Sequence, residues 1–120
     1  MVLLGLDHVQ LAAPAGCETA ARDFYGELLG LQELPKPEAL AGRGGVWFRV
    51  GTQQLHVGVD ADFRPARKAH PAFATAPDTI DALARRLQDA GHAPRWDDAV
   101  PGVRRFYLDD PWGNRLEVTT

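Results

Sequence analysis

Four side chains of metal-binding types stand in a doubled arrangement along this chain. His8 and His56 lie 48 positions apart (56 − 8), and His70 and Glu117 lie 47 apart (117 − 70). The first members of the two pairs are 62 positions apart (70 − 8), and the second members are 61 apart (117 − 56). Imidazole and carboxylate groups together suit Fe²⁺, Mn²⁺, Ni²⁺, Co²⁺ or Zn²⁺ better than Ca²⁺. The spacing therefore predicts two copies of one structural unit, each offering two ligands to a divalent metal ion.

The secondary structure predicted from the sequence repeats with the same period. In the first half, apolar periodicity and turn residues predict a strand, a helix and three strands, at 4–12, 17–29, 31–34, 46–50 and 53–59. The second half repeats this order at 70–76, 79–90, 93–96, 103–108 and 115–119. Gly30 and Gly91, each predicted to end a helix, are 61 positions apart (91 − 30). We therefore predict an α+β protein, a single domain over 1–120 built from two βαβββ modules at about 1–60 and 69–120.

Strand alternation assigns the polar residues to one face of each predicted sheet. Side chains point to opposite faces at successive strand positions, so all four candidate ligands lie opposite the apolar face. The same parity sends further polar or aromatic side chains to that face: Trp47, Arg49, Arg105 and Tyr107. Two guanidinium groups, an indole and a phenol would suit an anionic or aromatic small molecule. The alternative is that these residues brace a subunit interface.

Composition excludes several classes of function. The formal net charge is −3, which gives no electrostatic footprint for nucleic acid. Cys17 is the one cysteine, so an internal disulfide is impossible, and a small buried residue near a helix start is its commoner role. The sequence has no run of the roughly 18 apolar residues of a membrane helix and no signal-peptide pattern. A cytoplasmic protein without a membrane partner is the expectation.

With these features in place, the chain resembles the vicinal oxygen chelate superfamily, which includes glyoxalases, bleomycin resistance proteins and extradiol dioxygenases. The resemblance covers essentially all 120 residues and implies two βαβββ modules whose mixed sheets form a cupped half-barrel. The closing segment and the first helix end are its most specific parts. The segments that carry it are Leu6–Val9, Phe24–Tyr25 with Leu28–Leu31, Leu55–Val57, His70–Phe73 and Asp110–Glu117.

The resemblance also implies how a site would be built. His8, His56, His70 and Glu117 match the four metal-ligand positions of glyoxalase-like members, and small relatives form homodimers whose sites lie at the interface. It makes Glu117 the candidate general base as well as a ligand. Apart from the resemblance, Tyr107 is a candidate catalytic hydrogen bonder, although an interface or packing role is more common for tyrosine. His56 stands where glyoxalase I often has a carboxylate, which argues against lactoylglutathione lyase activity and leaves ligation or support open for His56.

The expected function is that of a metal-dependent glyoxalase or lyase-type enzyme, in which a divalent ion chelates adjacent oxygens of a small-molecule substrate. The alternatives are a ring-cleaving dioxygenase, a metal-free drug-binding protein similar to bleomycin resistance proteins, and a thiol transferase for antibiotic resistance. Fold alone does not choose among them, because one superfold hosts several chemistries.

Overall fold

A computed structural model of the chain describes residues 2–120, which divide into two compact units, residues 2–64 and Pro65–Thr120. Each unit contains one four-stranded mixed sheet and a helical segment between its first two strands, and the first unit also contains a 3₁₀ helix. The predicted α+β class with two βαβββ modules is confirmed. No helix of residues 2–120 is long and apolar enough to cross a membrane.

In the first unit the sheet has the strand order β1-β4-β3-β2. Strand β1 runs parallel to β4, and the other pairs are antiparallel. A π-helical segment continues helix α1, and a 3₁₀ helix precedes β3. The elements are β1 His8–Ala13, α1 Glu18–Ala21, the π-helical segment Arg22–Leu28, β2 Gln32–Leu34, the 3₁₀ helix Glu38–Arg43, β3 Val46–Val50 and β4 Gln53–Val59.

The second unit repeats this connectivity in the order β5-β8-β7-β6. Strand β5 runs parallel to β8, and β7 is antiparallel to both β6 and β8. The elements are β5 Ala72–Ala74, α2 Ile80–Asp89, β6 Arg95–Asp97, β7 Arg105–Asp109 and β8 Arg115–Thr119.

The apolar faces of the strands form the core of each unit. Tyr25 and Phe48 of the first unit are buried, with ring centres 5.9 Å apart. In the second unit the buried strand residues alternate with polar ones: Phe106, Leu108, Leu116 and Val118. Burial of this apolar surface drives folding and fixes which face of each strand stays polar.

The two parallel strand pairs explain the doubled spacing of the candidate ligands. Gln10 lies opposite His56 in the β1–β4 pair, and His8 stands two positions before Gln10. Ala72 lies opposite Glu117 in the β5–β8 pair, and His70 stands two positions before Ala72. Each candidate pair therefore occupies the same diagonal position across a parallel strand pair.

Three differences between the structure and the predicted elements concern the region of the candidate ligands and the segment before β3. Strand β1 begins at His8 rather than residue 4, because β4 begins at Gln53 and offers no partner to residues 2–6. Residues 35–44, predicted as a loop, contain the 3₁₀ helix. Strand β5 is shorter than predicted, so His70 lies just before it and Pro71, which has no N–H, contributes only its carbonyl, to Glu117 N.

Candidate functional site

The second unit brings His70 and Glu117 into direct contact. His70 Nε2 lies 3.0 Å from Glu117 Oε1, and His70 Nδ1 lies 2.9 Å from the carbonyl oxygen of Lys68. A carbonyl oxygen only accepts, so Nδ1 carries the hydrogen and donates it. In neutral His70, Nε2 then presents a lone pair to a carboxylate oxygen. Two acceptors this close need a proton or a metal cation between them.

The distance between these two atoms fits a shared metal ion. Metal–nitrogen and metal–oxygen bonds of about 2.1 Å that meet at a right angle place the two donor atoms about 3.0 Å apart. The hydrogen bond from Nδ1 to a backbone carbonyl is also the usual outer support of a metal-bound histidine. Together His70 and Glu117 would supply two cis ligands.

Strand β7 places two further predicted residues beside Glu117. Tyr107 lies opposite Glu117 in the β7–β8 pair, and its ring centre is 5.6 Å from that of His70. No residue within 2–120 accepts or donates a hydrogen bond at the Tyr107 hydroxyl. Arg105 Nη1 lies 3.7 Å from Glu117 Oε2. The buried carboxylate therefore has one oxygen at His70 and the other near a guanidinium.

Arg105 is already engaged by a second carboxylate. Its Nε and Nη2 donate to Asp97 Oδ1 at 3.2 and 3.1 Å. This hydrogen bond raises the pKa of Arg105, and the pKa of Asp97 is lowered, first by the Ala99 N–H and then by Arg105. The sequence predicts substrate binding for Arg105, but in this structure its hydrogen bonds hold it in place beside Glu117.

The first unit holds its own candidate pair in a stack of three rings. The His56 ring lies 4.2 Å from that of His8, at 16°, and 3.8 Å from the Trp47 ring, at 2°. His56 Nε2 is 2.8 Å from Gln54 Oε1, and His8 Nδ1 is 2.9 Å from Asp7 Oδ2. His56 is buried, whereas His8 is exposed.

The stack gives the two histidines different abilities to bind a metal. An imidazole lone pair lies in the ring plane, so two stacked, nearly parallel rings hold their lone pairs in separate planes and do not direct them to one point. Asp7 accepts the hydrogen of His8 Nδ1, which leaves Nε2 of His8 available as a donor atom. Burial, followed by the charge of His8, lowers the pKa of His56 and favours its neutral form.

The two pairs remain separate ligand sets in a single chain. Among residues 2–120, no three His, Cys, Asp or Glu side chains converge where a metal ion would fit. Within the described chain the candidate ligands therefore form two separate pairs, His8 with His56 and His70 with Glu117.

Two other predicted residues lie on the polar face of β3. Trp47 is half-buried, stacks on His56 and lines a cavity. Arg49 is exposed, lies opposite Gln54 across the β3–β4 pair and has no hydrogen bond or ion pair within the described chain. Trp47 is therefore packed against the candidate ligand His56, whereas the Arg49 guanidinium is exposed nearby and could contact a ligand.

Arg115 is a residue whose place the sequence did not reveal. Arg115 lies opposite Asp109 in the β7–β8 pair, but no hydrogen bond or ion pair joins the two side chains. Instead its guanidinium lies 5.8 Å from the Tyr107 ring centre, and its buried Nε has no hydrogen-bond partner in residues 2–120. The one available signal was parity, since Arg115 and Glu117 share a face of β8.

The comparisons with known proteins agree with this architecture. The profile of the Glyoxalase/Bleomycin resistance protein/Dioxygenase superfamily matches residues 5–118. A glyoxalase family protein from Bacillus anthracis is 50% identical, with a TM-score of 0.94 over 99% of this chain and 96% of that one. The chain belongs to the glyoxalase/bleomycin resistance/dioxygenase superfamily.

More distant structures share the fold alone. A lactoylglutathione lyase from Agrobacterium tumefaciens is 20% identical, with a TM-score of 0.78 over 99% of this chain and 95% of that one. A fosfomycin resistance protein from Listeria monocytogenes is 18% identical, also with a TM-score of 0.78, over 98% and 93% of the two chains. No curated protein matches the chain. The family is therefore established, and its several chemistries leave the reaction to be argued from the residues.

Proposed function

We propose that this protein is a metal-dependent enzyme of the glyoxalase or lyase type, acting on a small molecule that has two adjacent oxygen atoms. The contact between His70 Nε2 and Glu117 Oε1 carries the proposal, because an acceptor pair 3.0 Å apart matches cis ligands of a divalent ion. The ion would be Fe²⁺, Mn²⁺, Ni²⁺, Co²⁺ or Zn²⁺.

A homodimer would complete this site. We propose that His8 of one chain joins His70 and Glu117 of its partner, with His56 either as a fourth ligand or as the support of His8. The stack and the Gln54 hydrogen bond favour support for His56. Two histidines and one carboxylate leave coordination positions open for a chelating substrate.

The chain's own residues would divide the chemical work. When bound, a divalent ion would polarise the substrate oxygens and stabilise negative charge that develops on them. Glu117 would accept a proton from the substrate at Oε2, the oxygen that is not bonded to His70. The Tyr107 hydroxyl would donate a hydrogen bond to a substrate oxygen, and the Arg115 guanidinium lies 5.8 Å from the Tyr107 ring centre. Trp47 and Arg49 would contact the remainder of the substrate.

Metal analysis tests the centre without knowledge of the substrate. Protein purified without an affinity tag is expected to bind about one divalent ion per chain by mass spectrometry of the metal. His70→Ala should lose at least about tenfold in affinity, because removal of even an outer support costs that much. His92→Ala is the matched control, since His92 lies outside both pairs. Full metal content in His70→Ala would contradict the proposal.

The reaction class requires a second measurement on the metal-loaded protein. A panel of 2-oxoaldehyde–thiol adducts and catechols, with and without oxygen, would show turnover that depends on Glu117 and is lost in Glu117→Gln. Turnover without oxygen supports the lyase reaction. Incorporation of labelled dioxygen into product would replace it with ring cleavage, and a strict need for free thiol with an epoxide substrate would replace it with thiol transfer.

A further inference from the structure

A cavity in the first unit is lined by cationic and apolar side chains that the proposed metal centre does not use. It has a volume of about 270 Å³ and lies where the 3₁₀ helix faces the polar side of the β1–β4–β3 strands. Its size is just below the roughly 300–1,000 Å³ that is usual for small-molecule sites. The principal lining residues are Gln10, Lys36, Leu40, Arg43, Trp47 and Val57.

The charged groups of this cavity are all of one sign. Lys36 and Arg43 line it, and no carboxylate is among its lining residues within the described chain. Lys36 Nζ donates to the Gly44 carbonyl, which fixes one cation at the wall. Arg43 forms no hydrogen bond or ion pair with residues 2–120. A protein with a net charge of −3 therefore concentrates two cations around one small hollow.

Two glycines near the cavity allow other parts of the chain to lie very close to the backbone. Gly45 has φ +83°, and a Cβ there would lie 2.1 Å from the Val57 carbonyl oxygen. Its N–H donates to Glu18 Oε2 at 2.7 Å. A Cβ on Gly58 would meet Gln10 Nε2 at 2.2 Å. These glycines let the 3₁₀ segment be anchored against the sheet and let the Gln10 amide lie over the strand.

A neighbouring cavity shows that positive charge is not a general property of this region. That cavity, of about 480 Å³, shares Lys36, Gly44 and Trp47 with the first. It also contains Glu18 and Glu33, and Glu33 is paired with Arg22 at 2.9 Å. Its charges are largely balanced, so it lacks the same preference for an anion.

We propose that the 270 Å³ cavity is a binding site for a small organic oxyanion, a carboxylate or phosphate attached to a compact aromatic or branched apolar body. The oxyanion would sit between the Lys36 ammonium and the Arg43 guanidinium, whose planar donors match such groups. The body would lie on the Trp47 indole and the apolar wall at Leu40 and Val57. The site uses no metal, and Trp47 is the one residue it shares with the proposed metal-dependent reaction.

The test uses benzoate and phenyl phosphate as probes, with benzyl alcohol as the neutral analogue, on the full chain in the presence of a chelator. Isothermal titration is expected to show one site per chain for at least one of the two anions and binding at least about tenfold weaker for benzyl alcohol. Arg43→Ala should weaken the anion at least about tenfold, and Arg43→Lys should restore most of it. Anion quenching of tryptophan fluorescence should disappear in Trp47→Phe.

Arg85→Ala is the matched control, because Arg85 is exposed on α2 and its removal changes the net charge equally. Arg115→Ala tests a second guanidinium, whose Nε has no hydrogen-bond partner within residues 2–120. Unchanged anion affinity in both, with loss in Arg43→Ala, supports the site. Equal loss in Arg85→Ala, loss in Arg115→Ala instead, or equal affinity for benzyl alcohol overturns it. Because the chelator is present throughout, failure here leaves the metal proposal untouched, and the reverse also holds.

Discussion

At the scale of single residues, His56 illustrates how packing decides between two chemical roles. It lies between the rings of His8 and Trp47, and its Nε2 is bonded to Gln54. His56→Phe keeps an aromatic ring in the stack and removes both nitrogens. We expect this variant to retain about one metal ion per chain, whereas His8→Phe should lose at least about tenfold in affinity. Equal loss of metal from both variants, measured by competition with a fluorescent chelator, would make His56 a ligand.

Cys17 gives a prediction of pH dependence at the same scale. It is buried before helix α1, and burial, followed by its contact with Glu18, raises the pKa of its thiol to about 11. At pH 8 about one thiol in a thousand would be ionised, so Ellman's reagent should react at least about tenfold more slowly with the folded than with the urea-unfolded protein.

The sign of the effect on stability follows from the same pKa shift. The pKa of Cys17 in the folded protein lies above the ordinary value of 9.0. The neutral thiol therefore contributes fully to the free energy of unfolding below pH 9, and this contribution is lost as pH rises from about 9 to about 11. Cys17→Ala should lack this part of the alkaline loss in urea titrations. A rapid reaction of folded protein at pH 8 would show that the thiol is not buried in solution.

At the scale of elements, the junction between the 3₁₀ helix and β3 depends on one glycine. Gly45 and Gly16 have nearly the same φ, +83° and +82°, but a Cβ at Gly16 has nothing within 4 Å. Gly16→Ala should cost about 1–2 kcal/mol in the free energy of unfolding, the backbone penalty alone. Gly45→Ala should cost clearly more, because its Cβ would lie 2.1 Å from Val57 O. If chemical denaturation gives the same loss of unfolding free energy for Gly16→Ala and Gly45→Ala, the junction between the 3₁₀ helix and β3 can shift to accommodate the added Cβ.

The elements also show what parity in the sequence does and does not fix. Alternation correctly placed the apolar residues of β7 and β8 in the core and Glu117 between them on the opposite side of β8, but His70 lies before strand β5. Alternation did not predict where β1 begins, because the first residues of the predicted strand have no partner strand in the structure. Nor did two prolines and two glycines over 35–44 exclude a 3₁₀ helix, because short i→i+3 turns tolerate such sequences.

At the scale of the whole molecule, the segment before β1 predicts self-association. Its apolar side chains are 70–95% exposed in a single chain: Val2, Leu3, Leu4 and Leu6. A contiguous apolar patch of this kind marks an interaction site. We expect sedimentation to show a concentration-dependent homodimer, which Leu4→Glu weakens at least about tenfold. Because the proposed site needs two chains, this variant should also bind metal less tightly.

Val100→Glu is the control for this prediction, since Val100 is an isolated exposed residue of the second unit. It should leave both the dimer and the metal content unchanged. A Leu4→Glu variant that remains dimeric would place the interface elsewhere.

The sequence by itself determined the α+β class and the repeated order of elements, because strand alternation and turn chemistry are local properties. The sequence also identified the family, since the family motifs extend over the whole chain. Tertiary structure alone decided that His70 meets Glu117, that His56 is stacked and that Asp97 engages Arg105. It alone joined Lys36, Arg43 and Trp47 around one cavity. Side-chain rotamers and contacts between distant segments depend on how the elements pack, and no local pattern encodes that packing.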